Sequence, residues 1–249
     1  MKILMLHGFA QNGSLFKSKL RRLEERLRDI YPDVSFYYPT APLKLDPFDQ
    51  LSNTSTFEDI SQAGQDIEAY SWMAHNEHAA ISRGYYESLS LVANILRTEG
   101  PIDGIVAFSQ GTVVAGFIAS LLQGHARRVA FDLARINDAS TLPFPEIFKN
   151  LNHPPLKFMV LYGPTISSRK NCNGYYQKPA ISTPVCHVLG QWDTVIDCSD
   201  TAKVTRIIAG LNGRPTIIRH PGAHHAPMGK KYVDEVVAFI RKQQSRRRY

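Results

Sequence analysis

Short runs of consecutive apolar residues alternate along this chain with longer stretches in which apolar residues recur every three or four positions. KILMLH (2–7), VSFYY (34–38), IDGIVAF (102–108), KFMVLY (157–162), TPVCHVLG (183–190) and PTIIRH (215–220) are of the first kind and predict strands. The second kind predicts helices. Residues 14–30 carry Leu20, Leu23, Leu27 and Ile30 at helical spacing, and residues 80–98 carry Tyr85, Leu89, Val92 and Leu96, with Gly100-Pro101 as a stop. Residues 112–122 are apolar almost all round, which predicts a buried helix, and further helices are expected near 199–211 and 230–243. Strands and helices in this alternation predict an α/β fold: a mostly parallel central sheet flanked by helices on both faces.

Two stretches break the rhythm. Residues 39–62 are rich in Pro, Asp, Ser and Thr without a period and predict a long surface loop. Residues 123–156 have a second loop-like composition and are a candidate small cap or lid.

Length and composition narrow the class without naming it. A chain of 249 residues with 43% hydrophobic content can bury one substantial core, so residues 1–249 are expected to form a single domain. No stretch approaches the roughly 18 apolar residues of a membrane span. The apolar run in MKILMLHGFA is too short for a secretory leader, so a soluble, cytoplasmic protein is expected. Three cysteines, Cys172, Cys186 and Cys198, lack CxxC spacing and predict reduced thiols rather than a disulfide framework or a metal site. The net charge is +7, but five cations sit in the last nine residues, RKQQSRRRY (241–249). The body therefore has no basic stripe, and nucleic acid is not an expected partner. The tail is expected to be the solvated end of a C-terminal helix.

Candidate chemistry begins at AFSQGT (107–112), which places a hydroxyl between a buried strand and a buried helix. Such a turn matches the nucleophile elbow G-x-S-x-G, with Ala107 in place of the first Gly and Gly111 in place of the second. The competing reading of Ser109 is a plain helix cap. A serine hydroxyl needs a base to take its proton and an acid to orient that base. Asp193, in LGQWDTVID after the strand 183–190, and His224, in HPGAHHAP after the strand 215–220, follow Ser109 in the order this architecture uses. Asp197 and His225 are the alternatives for acid and base, whereas Asp103 precedes its strand and falls at the wrong sheet edge. His220 and His224 are spaced like a zinc pair, but Pro221-Gly222 between them breaks any helix, so no metal site is expected. The backbone N–H groups of Gln110 and Phe9, the latter in LHGFAQNG, are the candidate oxyanion donors, with Ala10 as a second choice for the latter. Trp192, beside Asp193, is the candidate substrate contact.

Taken together, LHGFAQNG, GYYESL, GPIDGIVAFSQG, LGQWDTVID and HPGAHHAP resemble the family of serine hydrolases (FSH) within the α/β-hydrolase superfamily, over nearly the whole chain. The resemblance implies an α/β-hydrolase fold, with Ser109 as nucleophile, Asp193 as acid and His224 as base. It implies hydrolysis of a carboxylic ester or thioester through an acyl-serine, with neither metal nor organic cofactor required. Because some fungal members release polyketides, it also raises a thioesterase that frees a polyketide or fatty acyl chain from a carrier protein, with the basic tail steering an acidic carrier domain. Three positions depart from the family pattern: Ala107, Ala223 in Gly222-Ala223-His224, and Pro164 in Tyr162-Gly163-Pro164. A rival from another class is a non-catalytic interaction protein on the same fold.

Overall fold

Along each central strand, alternate residues feed two different cores. The first strand, β1 (Lys2–Leu6), sends Ile3 and Met5 to one face and Leu4 and Leu6 to the other, all fully buried. In the computed structural model, which describes residues 1–46, 68–74, 81–196, 198–208 and 214–245 (198–201 by backbone alone), the same division holds for β5 (Gly104–Phe108) and β6 (Phe158–Tyr162). A strand apolar on both sides needs helices on both sides, which is why the sheet is parallel.

The elements between are β2 (Ser35–Tyr37) and the short antiparallel pair β3 (Leu43–Lys44) and β4 (Tyr70–Ser71). β7 (Val185–Gly190) and β8 (Thr216–His220) complete a six-stranded, all-parallel sheet of order β2-β1-β5-β6-β7-β8. Helices α1 (Gly13–Lys19), α2 (Arg21–Ile30) and α7 (Lys230–Ser245) bury their apolar faces on one side. On the other lie α3 (Tyr85–Thr98), α4 (Gln110–Leu121), α5 (His125–Asn137) and α6 (Cys198–Ile207). Tyr85 and Tyr175 are fully committed to that second core, where Tyr175 stacks on Phe117 at 3.9 Å between ring centroids. The chain leaves β1 toward β2 on one side and reaches β5 on the other, so a crevice opens above the adjoining ends of β1 and β5.

Two expectations change. The helix predicted over 14–30 is two helices, because the chain turns at Leu20 (φ −98°, ψ 12°), whose amide is shared by the Phe16 and Lys17 carbonyls. Leu20, Leu23 and Leu27 are still buried together. The candidate cap at 123–156 contains the 13-residue helix α5 and a 3-10 turn at Glu146–Phe148. α5 packs on α4 and on the turn Lys170–Tyr175, so it buttresses the flank of the sheet instead of covering Ser109. Its buried stripe is Arg127, Ala130, Phe131 and Ala134. A cation in the first of those positions hides the apolar period. The Arg127 guanidinium donates to the carbonyls of Gly174 (3.4 Å), Gln177 (2.6 Å) and Pro179 and to Gln123 Oε1 (3.1 Å), which is how it can be buried. Most of the predicted loop 39–62 lies outside the described residues.

Three buried imidazoles couple this fold to pH. Burial pulls His7, His187 and His220 each from 6.5 down to about 4. Between those values the unfolded chain binds protons that the native state refuses, so stability is complete above about pH 6.5 and falls as pH drops toward 4. Urea midpoints at pH 7, 5.5 and 4 should therefore decline steadily. A flat midpoint would mean that these rings accept protons in place.

Candidate active site

Ser109 occupies a backbone conformation that only a constrained turn would hold. Its φ is 50° and ψ −121°, costly by roughly 1–3 kcal/mol for a residue with a Cβ. The surroundings fix it: its amide donates to Tyr162 O (2.9 Å), and its carbonyl accepts from the Thr112 amide (2.8 Å) and the Thr112 hydroxyl (2.6 Å). Helix α4 starts immediately afterwards and lies hard against β1. A Cβ on Gly111 would stand 2.4 Å from Leu6 O and 2.6 Å from His7 O, so no larger residue fits there. Ala107, by contrast, is fully buried between Leu6 and Leu161 in register, and its methyl joins the core.

The loops after β7 and β8 converge on that serine. His224 Nε2 lies 2.8 Å from Ser109 Oγ, and His224 Nδ1 lies 2.7 Å from Asp193 Oδ2. Asp193 Oδ1 accepts from the amides of Val195 (3.0 Å) and Ile196 (2.9 Å), so both carboxylate oxygens are engaged. Burial alone would push the Asp193 carboxyl up, but the His224 bond and these two amides outweigh it and hold it below the usual carboxylate range. A charged Asp193 keeps the proton on Nδ1 and leaves Nε2 free to accept from the hydroxyl.

Of the alternatives, His225 is exposed and packs edge-on to His220 at 4.7 Å, while Asp103 sits at the opposite sheet edge, bonded to the Lys2 amide (2.8 Å). Asp197 lies outside the described residues.

The loop after β1 abuts Ser109. A Cβ on Gly8 would stand 3.3 Å from that of Ser109. His7 pins this loop from beneath: its Nδ1 donates to Gly8 O (2.7 Å) and its Nε2 accepts from the Ala41 amide (2.9 Å), the pattern of a neutral ring. Ala10 turns the loop at φ 57°. Among the described residues neither the Phe9 nor the Gln110 amide donates to a protein acceptor.

One part of the site has no counterpart in the sequence reading. Residues 71–73 form a strap beside Gln110, whose Oε1 accepts from the Trp72 amide (2.8 Å) and whose Nε2 donates to Met73 O (2.7 Å). Trp72 is fully buried, and its Nε1 donates to His7 O (2.8 Å). The side chain of Gln110 thus ties α4 to the β1 loop through the strap. Trp72 stands in a stretch without apolar periodicity, so the only signal was an isolated aromatic. Trp192 goes the other way: beside Asp193 in sequence, it stands 73% exposed.

Gly163 closes the imidazole side. Its φ is +50°, and a Cβ there would lie 2.6 Å from His224 Cε1. Gly163→Ala is expected to displace the ring and lower kcat about 10²-fold, the scale of an ångström of misplacement. Steady-state rates on a nitrophenyl ester, with circular dichroism to confirm folding, check this. Beyond Gly163 a cavity of about 480 Å³ runs under Leu189, Ile196 and Ile217 to Arg219.

A parallel sheet carrying a strained serine at its switch point, with a histidine and a carboxylate on the loops that follow later strands, defines the α/β-hydrolase class. Within it, the chain belongs to the FSH1 serine hydrolase family, whose model matches residues 1–236. An uncharacterized hydrolase of Schizosaccharomyces pombe is 30% identical over 244 residues, covering 96% of this chain and 50% of that protein. This chain thus spans half the length of that relative. Family of serine hydrolases 3 of Saccharomyces cerevisiae is 28% identical (96% of this chain, 83% of that protein), and esterase OVCA2 of Danio rerio is 24% identical (97% of each). Among solved structures, acyl-protein thioesterase 2 of Zea mays shares the fold with a TM-score of 0.58 at 18% identity, over 97% of this chain and 93% of that one. Among the described residues no helix is long and apolar enough to cross a membrane.

Proposed function

We propose that this protein cleaves carboxylic esters or acyl thioesters in two steps through an acyl-serine. Ser109 Oγ bonds to the substrate carbonyl carbon as its proton passes to His224 Nε2. The carbonyl oxygen takes the negative charge between the Phe9 and Gln110 amides. His224 then returns the proton to the departing alcohol or thiol as its bond to the carbonyl carbon breaks. Water repeats the sequence, with His224 again as base, to free the acid and restore Ser109. Asp193 keeps the imidazole in the required tautomer throughout. The observation that carries this reading is the unbroken line from Ser109 Oγ through His224 to Asp193, at 2.8 and 2.7 Å. A protein serving only as an interaction module has no need of that line on a strained serine.

A carrier-bound acyl thioester stays within this substrate range, and the described start of the basic tail, 241–245, lies away from the serine. α7 runs away from the His224 loop, and near its end Gln244 accepts from Lys157, which pairs with Asp103 at the sheet edge opposite Ser109. Residues 241–245 therefore do not flank the serine.

Intact-protein mass after treatment with a fluorophosphonate tests the reading. One adduct on the wild type and none on Ser109→Ala supports an activated Ser109, whereas an unmodified, folded wild type overturns it.

A further inference from the structure

β8 is the edge strand of the sheet, and its residues alternate. Ile218 and His220 are buried, while Ile217 and Arg219 turn outward and line the cavity of about 480 Å³. Among the described residues two charged ones border that space, and they differ in kind. The carboxylate of Asp193 is taken up by His224 and two backbone amides. Arg219 has no carboxylate partner among the described residues. The cavity therefore has apolar walls at Leu189, Ile196 and Ile217 and one cation without a carboxylate partner among the described residues.

The topology says which half of a substrate would meet it. A carbonyl oxygen directed at the Phe9 and Gln110 amides lies over the ends of β1 and β5. The cavity runs along β7 and β8 beside Ala202 and Thr205 of α6, and it meets the site at Asp193 and at Gly163, where a Cβ would stand 2.6 Å from His224 Cε1, the ring atom next to Nε2. The departing oxygen or sulfur must come within reach of His224 Nε2, because that nitrogen returns its proton. Whatever is attached to the departing atom then runs toward the cavity.

We infer that the cavity binds the alcohol or thiol half of the substrate, and that Arg219 selects leaving groups bearing a carboxylate or phosphate. The inference rests on the acyl-serine reading above. An arginine fork suits either group, since both present paired oxygens to two N–H donors.

The test compares phenyl butyrate, its analogue with a 4-carboxylate on the phenyl ring, and its analogue with a 4-phosphate there. The readout is kcat/KM on the acidic ester divided by that on the neutral one, which cancels the butyryl half. Arg219→Gln should lower this ratio about tenfold, the size of one charge-assisted contact open to solvent, and Arg219→Glu should lower it further. Arg135→Gln, an exposed cation on α5, should leave the ratio at its wild-type value. A greater fall for the phosphate than for the carboxylate assigns the site to phosphate, and the reverse assigns it to carboxylate. An unchanged ratio overturns the inference. So does a fall confined to monophenyl glutarate, whose acid lies in the acyl half. Should wild type hydrolyse none of these esters, the acyl-serine reading fails, and calorimetric titration with 4-hydroxybenzoate judges the cavity alone. Binding weakened about tenfold by Arg219→Gln supports it, and no binding to wild type overturns it.

Discussion

Ser109→Ala is expected to lower kcat on a simple carboxylic ester by about 10⁵-fold or more, with the fold unchanged. The size follows from what the hydroxyl does and what alanine leaves behind. Alanine keeps the Cβ, so the strained backbone at φ 50° is no worse accommodated than before. The elbow's anchors, Tyr162 O on the amide and Thr112 on the carbonyl, are all backbone contacts of residue 109 and survive. The hydrogen bond lost is the one to His224, and among the described residues no other hydroxyl or thiol bonds to His224 Nε2. What remains is a cleft that can hold an ester and polarise its carbonyl, which is worth roughly 10³–10⁴ over the reaction in water. The measurement is single-turnover and steady-state hydrolysis by purified protein, alongside a thermal melt. A variant that keeps more than a hundredth of the wild-type rate would remove the acyl-serine mechanism.

How much of this was legible before the structure depends on the kind of signal each residue left. In an all-parallel sheet every strand delivers its C-terminal loop to one edge, so assigning the strands correctly also gathers their loops. That is why Ser109, Asp193 and His224, each a few residues past a strand, could be placed on the same edge from order alone, and why Asp103 could be set apart. The structure brings the three together. Side-chain direction leaves no such trace. Trp192 neighbours Asp193 in the chain yet faces solvent, and Gln110 was read for its amide alone although its side chain holds the 71–73 strap. Period also fails where a charged group is satisfied internally: Arg127, bonded to three carbonyls, occupies a core position of α5 and conceals the helix. The break at Leu20 was hidden for the opposite reason, since Leu20, Leu23 and Leu27 keep helical spacing across it. The cavity at Arg219 could not be read at all, because it joins residues after β6, at the end of β7, along β8 and on α6.

Asp193→Asn is expected to cost about 10⁴-fold in kcat while altering KM little, a larger loss than its distance from the reacting carbon suggests. The asymmetry of its two oxygens explains why. Oδ1 accepts from the Val195 and Ile196 amides, and an asparagine carbonyl can keep both bonds. The –NH₂ then falls where Oδ2 was, 2.7 Å from His224 Nδ1. Two donors cannot share that contact, so Nδ1 must give up its proton and the ring must carry it on Nε2, facing Ser109 Oγ. The histidine would then donate to the hydroxyl it is required to deprotonate. The geometry survives and the proton is on the wrong nitrogen, which is why kcat falls and binding does not. The wild-type carboxylate avoids this through mild acid because its hydrogen bonds hold its titration below the usual range. Rates and KM on one ester, with a melt to confirm folding, decide the matter. A loss under tenfold would mean that another acid orients His224, and Asp197, four residues further along the sequence, would be the residue to change next.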